Sequence, residues 1–115
     1  MKKILVVDDS AVDLKNLERI VSDSGAMVIT ASSGEEAISK ARQSQPQMVL
    51  MDVNMPGLDG YSTARQLAAD PSTKNIPVVF VTSKDQKADR VFAKMLGAKA
   101  FVTKPYSAAD ILATL

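Results

Sequence analysis

Three aspartates, a threonine and a lysine stand where short apolar runs of this 115-residue sequence end. Asp8 and Asp9 follow Ile4 to Val7, Asp52 follows Met48 to Met51, Thr82 follows Val78 to Val81, and Lys104 lies just past Ala100 to Val102. Clustered carboxylates repel unless a cation joins them, and an oxygen donor set completed by water favours Mg2+ over softer metals. A metal held by Asp9 and Asp52 leaves coordination positions open for a phosphate. Lys104 then balances a second phosphoryl oxygen as a point charge, and the Thr82 hydroxyl donates to a third. Such a set suits phosphoryl transfer, where positioning and charge neutralisation supply most of the catalysis. The sequence has no Cys, no His and no adjacent activated Ser, so a carboxylate is left as the nucleophile.

These residues share a site only if the apolar runs are strands of one sheet. Short runs rich in Val and Ile fit strands covered on both faces, and Met27 to Ile29 supplies a further one. Helical spacing fills the gaps. Ala11 to Ser24 carries Leu14, Leu17, Ile20 and Val21 on one side, with capping-box-like spacing of Ser10 and Asp13 before it and Gly25 after it. Glu35 to Ser44, about Tyr61 to Ala69, and Gln86 to Leu96 form the next three helices. The last of these is expected to turn Ala88, Val91, Phe92 and Met95 inward. A fifth, of about nine residues, starts behind Ser107, with Asp110 three positions on and Ile111, Leu112 and Leu115 as its apolar side.

Strands alternating with helices indicate an α/β fold with a parallel sheet and helices on both faces. In open sheets of this kind, ligands meet residues just beyond the carboxyl ends of the strands, which is where the five side chains lie. The second strand ends in Ala31 and Ser32, a bland terminus suited to the sheet edge.

Composition narrows the function. One domain spanning 1–115 is expected, because two cores would not fit this length. A formal net charge of +1, without blocks of like charge, speaks against direct nucleic-acid binding through phosphates. The lack of Cys and His excludes zinc sites, thiol nucleophiles, disulfides and imidazole catalysis. The first apolar run is too short for a signal peptide, and no stretch of about 20 apolar residues offers a membrane span. The expected location is cytoplasmic, without membrane insertion.

Over essentially its whole length the chain resembles bacterial response-regulator receiver domains of the CheY-like superfamily. The matching segments are Val6-Val7-Asp8-Asp9-Ser10, Leu50-Met51-Asp52, Met55-Pro56-Gly57-Leu58-Asp59-Gly60, Val81-Thr82-Ser83 and Thr103-Lys104-Pro105. Each is weak alone; their order and separations together are specific. The resemblance implies a flavodoxin-like (βα)5 fold with a doubly wound five-stranded parallel sheet in the order 2-1-3-4-5. It implies that Asp52 is the phosphoacceptor, that Asp8, Asp9 and Asp52 hold Mg2+ with the Asn54 backbone carbonyl, and that Thr82 and Lys104 contact the phosphoryl group. Thr82 and Phe101 would form the switch acting on helix four, strand five and helix five, Phe101 by packing alone because it lacks a hydroxyl. Asn54 and Lys84 would tune dephosphorylation, and the Lys104-Pro105 peptide would be cis.

The implied partners are a sensor histidine kinase or histidine phosphotransfer protein and a downstream protein target, the receiver itself being a monomer or weak dimer. It would be no enzyme with a diffusible product but a phosphoacceptor that assists its own modification. A narrower similarity, in Val81 to Asp89 and Gly97-Ala98, is to the small receivers of twitching-motility chemosensory systems, the PilG and PilH type.

Other readings weigh less. Asp8 and Asp9 alone would pass as caps of the first helix, but Asp52 at the end of a buried run needs partners. Gly57, Asp59 and Gly60 read as the turn before helix three, Phe101 is equally a core residue, and Met51 and Met95 read as core filler. The basic excess of Lys84 to Leu115 reads as a solvated face. A flavin-binding fold wants a Ser-, Thr- and Gly-rich loop after strand one, and an Asp-nucleophile phosphatase wants D-x-D there; the chain has Asp-Asp-Ser. The short final helix keeps open a longer response regulator with a DNA-binding or enzymatic output domain.

Overall fold

The computed structural model describes residues 2–115. Strands and helices alternate: β1 (Lys3–Val7), α1 (Ala11–Asp23), β2 (Met27–Ala31), α2 (Gly34–Ser44), β3 (Met48–Met51), α3 (Gly60–Ala69), β4 (Val78–Thr82), α4 (Lys87–Met95), β5 (Ala100–Thr103) and α5 (Ala108–Leu112). All strand pairs are parallel, in the order β2-β1-β3-β4-β5. This is the flavodoxin-like, doubly wound sheet expected from the sequence.

Successive side chains of a strand point to opposite faces, so continuous apolar runs feed two cores. Leu5, Val7, Val49, Met51 and Phe80 pack with α2 and α3 on one face. Ile4, Val6, Leu50, Val79 and Val81 pack on the other with Leu17 and Val21 of α1 and Ile111 of α5. β3 is buried throughout, whereas edge strand β2 is only partly covered.

Helix starts follow the capping chemistry of the sequence. Ser10, Ser33, Asp59 and Ser107 each accept a backbone N–H from the first turn of the helix that follows, and Ser107 with Asp110 closes a full capping box. Asp59 is thus structural, and Gly57 takes the left-handed φ of +74° that its turn requires. The Lys104-Pro105 peptide is cis. Among the described residues no helix is long and apolar enough to cross a membrane.

The inward face assigned to α4 needs correction. Val91 and Met95 are 51% and 76% exposed, Ala88 is exposed too, and only Phe92 of the four is half-covered. The buried positions are Asp89 and Ala93. The reason is a carboxylate hidden in the packed face. Asp89 folds back to accept the Gln86 N–H at 3.2 Å and the Tyr61 hydroxyl at 3.1 Å, which turns the apolar stripe outward. Met95 is therefore not core filler. The fifth helix is also shorter than expected, five residues, and Leu112 is exposed while Ile111 is buried.

Candidate functional site

The sheet order reverses at β1, which pairs with β2 on one side and β3 on the other. At such a point the connections leave toward opposite faces and a cleft opens beyond the carboxyl ends. Here the strand ends are held in register: the Asp52 N–H donates to the Val7 carbonyl at 3.0 Å, and the Lys104 N–H to the Thr82 carbonyl at 2.9 Å. Residues far apart in sequence thereby converge.

Asp8, Asp9 and Asp52 each place a carboxylate oxygen within 4.8 Å of the others. Local turns aim two of them, the Ser10 N–H donating to Asp8 Oδ1 at 2.9 Å and the Asn54 N–H to Asp52 Oδ1 at 3.2 Å. Facing them, Lys104 Nζ donates to Asp8 Oδ2 at 2.8 Å, Asp13 Oδ2 at 2.9 Å and Asp52 Oδ2 at 3.0 Å. Three carboxylates thus bond one ammonium, with Asp9 beside two of them, in a setting where Asp8 and Asp52 are only 2% and 7% exposed.

The protonation equilibria reflect this crowding. Burial pushes the Asp8 carboxyl up, more than the hydrogen bonds from Lys104 and the Ser10 amide pull it down. Burial by itself would lower Lys104, but its bonds to Asp8, Asp13 and Asp52 outweigh that and hold the ammonium well above its ordinary range.

The donor set suits a hard divalent cation. Around an octahedral Mg2+, with ligands at 2.0–2.1 Å, neighbouring oxygens stand about 3 Å apart and opposite ones about 4 Å. Three carboxylate oxygens already within 4.8 Å of one another need only a small contraction to reach that spacing. Four acids against one lysine also leave the pocket short of positive charge.

The remaining expected residues lie around this centre. Thr82 is fully buried at the end of β4, and its hydroxyl accepts the Lys84 N–H at 3.2 Å. Asn54 is exposed, with its backbone N–H on Asp52. The Lys84 ammonium lies 3.8 Å from Asp89 Oδ1, on the α4 side. Phe101, half-buried, sits opposite Phe80 in the β4–β5 register, with the Arg90 guanidinium 4.9 Å from its ring centroid. Arg90 also bonds Asp85 at 2.7 Å and Thr103 at 2.8 Å, tying α4 to β5.

Two participants were not legible beforehand. The spacing of Asp13 reads as helix capping, and its N–H does reach Ser10 Oγ at 3.4 Å, but its carboxylate goes to Lys104. An acid in the first turn of a helix that rises from the ligand rim was the available signal. The second is Tyr61, whose hydroxyl meets Asp89 and whose ring packs edge-on against Phe80 and Phe92. Burial first, and then the Asp89 carboxylate, push its phenol up to about 12.

An acidic cleft bridged by one lysine, at the reversal point of a doubly wound sheet, matches one family of signalling domains. The chain belongs to the response regulator receiver domain family, whose model matches residues 4–115. It is thus a receiver of two-component signalling, a class whose members are switches. It is 42% identical over 115 residues to Protein PilH of Pseudomonas aeruginosa, covering all of this chain and 95% of that protein. Similarity also extends to Protein PilG of the same organism, 32% identical, with 98% of this chain and 84% of that one covered. To the response regulator PleD of Caulobacter vibrioides it is 41% identical over 103 residues, 90% of this chain but 23% of PleD.

Among solved structures, the Vibrio cholerae chemotaxis protein CheY4 superposes with a TM-score of 0.93 at 29% identity, covering 99% of this chain and 95% of that one. The receiver domain of the sensor histidine kinase PA1611 from Pseudomonas aeruginosa, which holds a magnesium ion in its active-site cleft, superposes at 0.89 with 27% identity. That match covers 97% and 92% of the two chains.

Proposed function

We propose that Asp52 accepts a phosphoryl group from a histidine kinase or histidine phosphotransfer protein, and that residues 1–115 act as one switch domain in the cytoplasm. The observation that carries this reading is the convergence of Asp8, Asp9 and Asp52 within 4.8 Å, with the Lys104 ammonium 3.0 Å from Asp52 Oδ2. An oxygen of Asp52 attacks phosphorus. The bond from phosphorus to the donor nitrogen of a phosphohistidine, or to the donor oxygen of an acyl phosphate, breaks, and the donor leaves with that electron pair.

Asp8, Asp9 and Asp52, with the Asn54 carbonyl, would hold Mg2+, which supplies charge neutralisation at the phosphoryl oxygens. Lys104 supplies a second positive charge and the Thr82 hydroxyl a hydrogen bond. Asn54 and Lys84, two positions after Asp52 and Thr82 in the sequence, set how readily water reaches phosphorus afterwards. Thr82 is buried, and its turning toward the phosphoryl group would vacate space for Phe101 to take up. That rearrangement shifts the population of the α4–β5–α5 face by no more than the phosphoryl group's differential interaction with the two states.

The uncovered strip of Ala88, Val91 and Met95 on α4 supports this face as the contact for a downstream protein. Full-length similarity to PilH supports a small receiver in chemosensory or pilus-motility signalling, working as a monomer or weak dimer. The test is incubation with acetyl phosphate followed by intact-mass measurement. One phosphoryl group should be taken up with Mg2+ present, and none after chelation or in Asp52→Asn. Undiminished uptake by that variant would overturn the assignment.

A further inference from the structure

We propose that Asp13 is a positioning residue that occupies, in the unphosphorylated protein, the Lys104 hydrogen bond which the phosphoryl group later takes. An ammonium has three N–H donors. All three are engaged here, by Asp8 at 2.8 Å, Asp13 at 2.9 Å and Asp52 at 3.0 Å. A phosphoryl oxygen arriving at Asp52 therefore cannot bond Lys104 until one carboxylate lets go. This step rests on the role proposed for Asp52.

Burial decides which one yields. The Asp8 and Asp52 side chains are 3% and 9% exposed, and the Asp13 side chain is 45% exposed. While the phosphoryl donor docks, Asp52 is still a carboxylate, so releasing it or Asp8 would strand a charge with little water to solvate it, whereas Asp13 turns directly into solvent. Asp13 also lines the open cleft of about 520 Å³ beside Asp52 and Lys104. Its carboxylate stands on the side from which a phosphate can approach, and it repels that phosphate until it swings out. Asp13 therefore holds the ammonium in place without metal or phosphate, and resists phosphorylation by occupying the donor that phosphorylation requires.

Removing the charge should favour the phosphorylated arrangement. The test compares wild type, Asp13→Asn and Asp13→Glu by titration with beryllofluoride, a phosphoryl mimic, in saturating Mg2+, followed through backbone amide shifts. Asp13→Asn should bind roughly two- to fivefold more tightly, the range for an ion pair with one half-exposed partner, and should take up phosphate from acetyl phosphate faster. Asp13→Glu should return toward wild type. Unchanged or weaker binding by Asp13→Asn would overturn the proposal, because a residue that merely supports the fold gives no gain.

A second reading needs no phosphoryl group. In Mg2+-free protein the Lys104 ammonium should give a proton-exchange-protected 15N–1H signal that broadens in Asp13→Asn and persists in Asp13→Glu. An unaltered signal in Asp13→Asn would refute the contact. Failure of the wild type to bind beryllofluoride would instead count against the role of Asp52, while the ammonium signal still decides whether Asp13 restrains Lys104.

Discussion

Lys104→Met is expected to lower the unfolding free energy by about 3 kcal/mol in Mg2+-free buffer, with most of that loss regained as Mg2+ is added. The side chain neutralises Asp8 and Asp52, which are 2% and 7% exposed, and it bonds both directly. Methionine keeps the length of the aliphatic stem, so packing changes little. The carboxylates lose the one cationic hydrogen-bond partner they have among the described residues, and breaking a buried pair from one side leaves charge uncompensated. Because Asp13 is half-exposed, its release adds little to the cost. A divalent ion at the same oxygens replaces the lost positive charge, so the variant's stability should depend on Mg2+ more steeply than that of the wild type. Urea unfolding with and without Mg2+ measures this directly. An equal loss in both buffers, or none in either, would mean that Lys104 does not balance the acidic cluster.

Gly60→Ala should cost about 3 kcal/mol or more, the upper range for overpacking against atoms that cannot move aside. Gly60 opens α3 and its N–H donates to the Val53 carbonyl at 2.9 Å, so the helix start presses against the chain leaving β3. A Cβ there would overlap the Asp52 carbonyl oxygen and sit 2.8 Å from Val53 Cα and 3.0 Å from the Asp52 carbonyl carbon. Those atoms are backbone, so relief requires shifting the segment that carries the acceptor. Gly25→Ala provides the contrast. It has φ +94° but nothing within 4 Å of the added carbon, so only conformational strain of about 1–2 kcal/mol applies. Denaturation midpoints should therefore separate the two variants clearly, and similar losses would contradict the close approach at Gly60.

The strand-end residues were legible because of a topological regularity. Apolar runs located β1, β3, β4 and β5, and ligand positions in open α/β sheets lie just past such runs. That regularity alone puts Asp8, Asp9, Asp52 and Lys104 on one rim. What the sequence hid were polar side chains serving tertiary partners. Asp13 has the spacing of a capping residue, and its place in the first turn beside the rim does not name the partner its carboxylate reaches, a lysine 91 positions away. Asp89 broke the periodicity of α4 for the same reason. A buried acid satisfied by Tyr61 and the Gln86 amide is indistinguishable in sequence from an exposed one. Val91 and Met95, apolar at the right interval, consequently read as inward-facing in the sequence although the fold exposes them. In α5 the spacing of Ile111, Leu112 and Leu115 suggested a longer amphipathic helix than the five residues that form.

The pocket and the α4–β5–α5 face are physically connected. β4 carries Thr82 at one end and Phe80 in its middle; Phe80 touches Tyr61 and lies opposite Phe101. Tyr61 bonds Asp89, which holds the first turn of α4 and stands near Lys84. A shift at the end of β4 thus meets aromatic and carboxylate contacts that lead to the exposed strip of α4.

The most direct test of the account is to locate the modified residue. After reaction with acetyl phosphate and Mg2+, the acyl phosphate can be reduced with borohydride and the protein digested and sequenced by tandem mass spectrometry. The label is expected on Asp52 alone, and it should be absent from samples treated with hydroxylamine before reduction. Label on Asp8, Asp9 or a serine or threonine hydroxyl, with Asp52 unmodified, would contradict it.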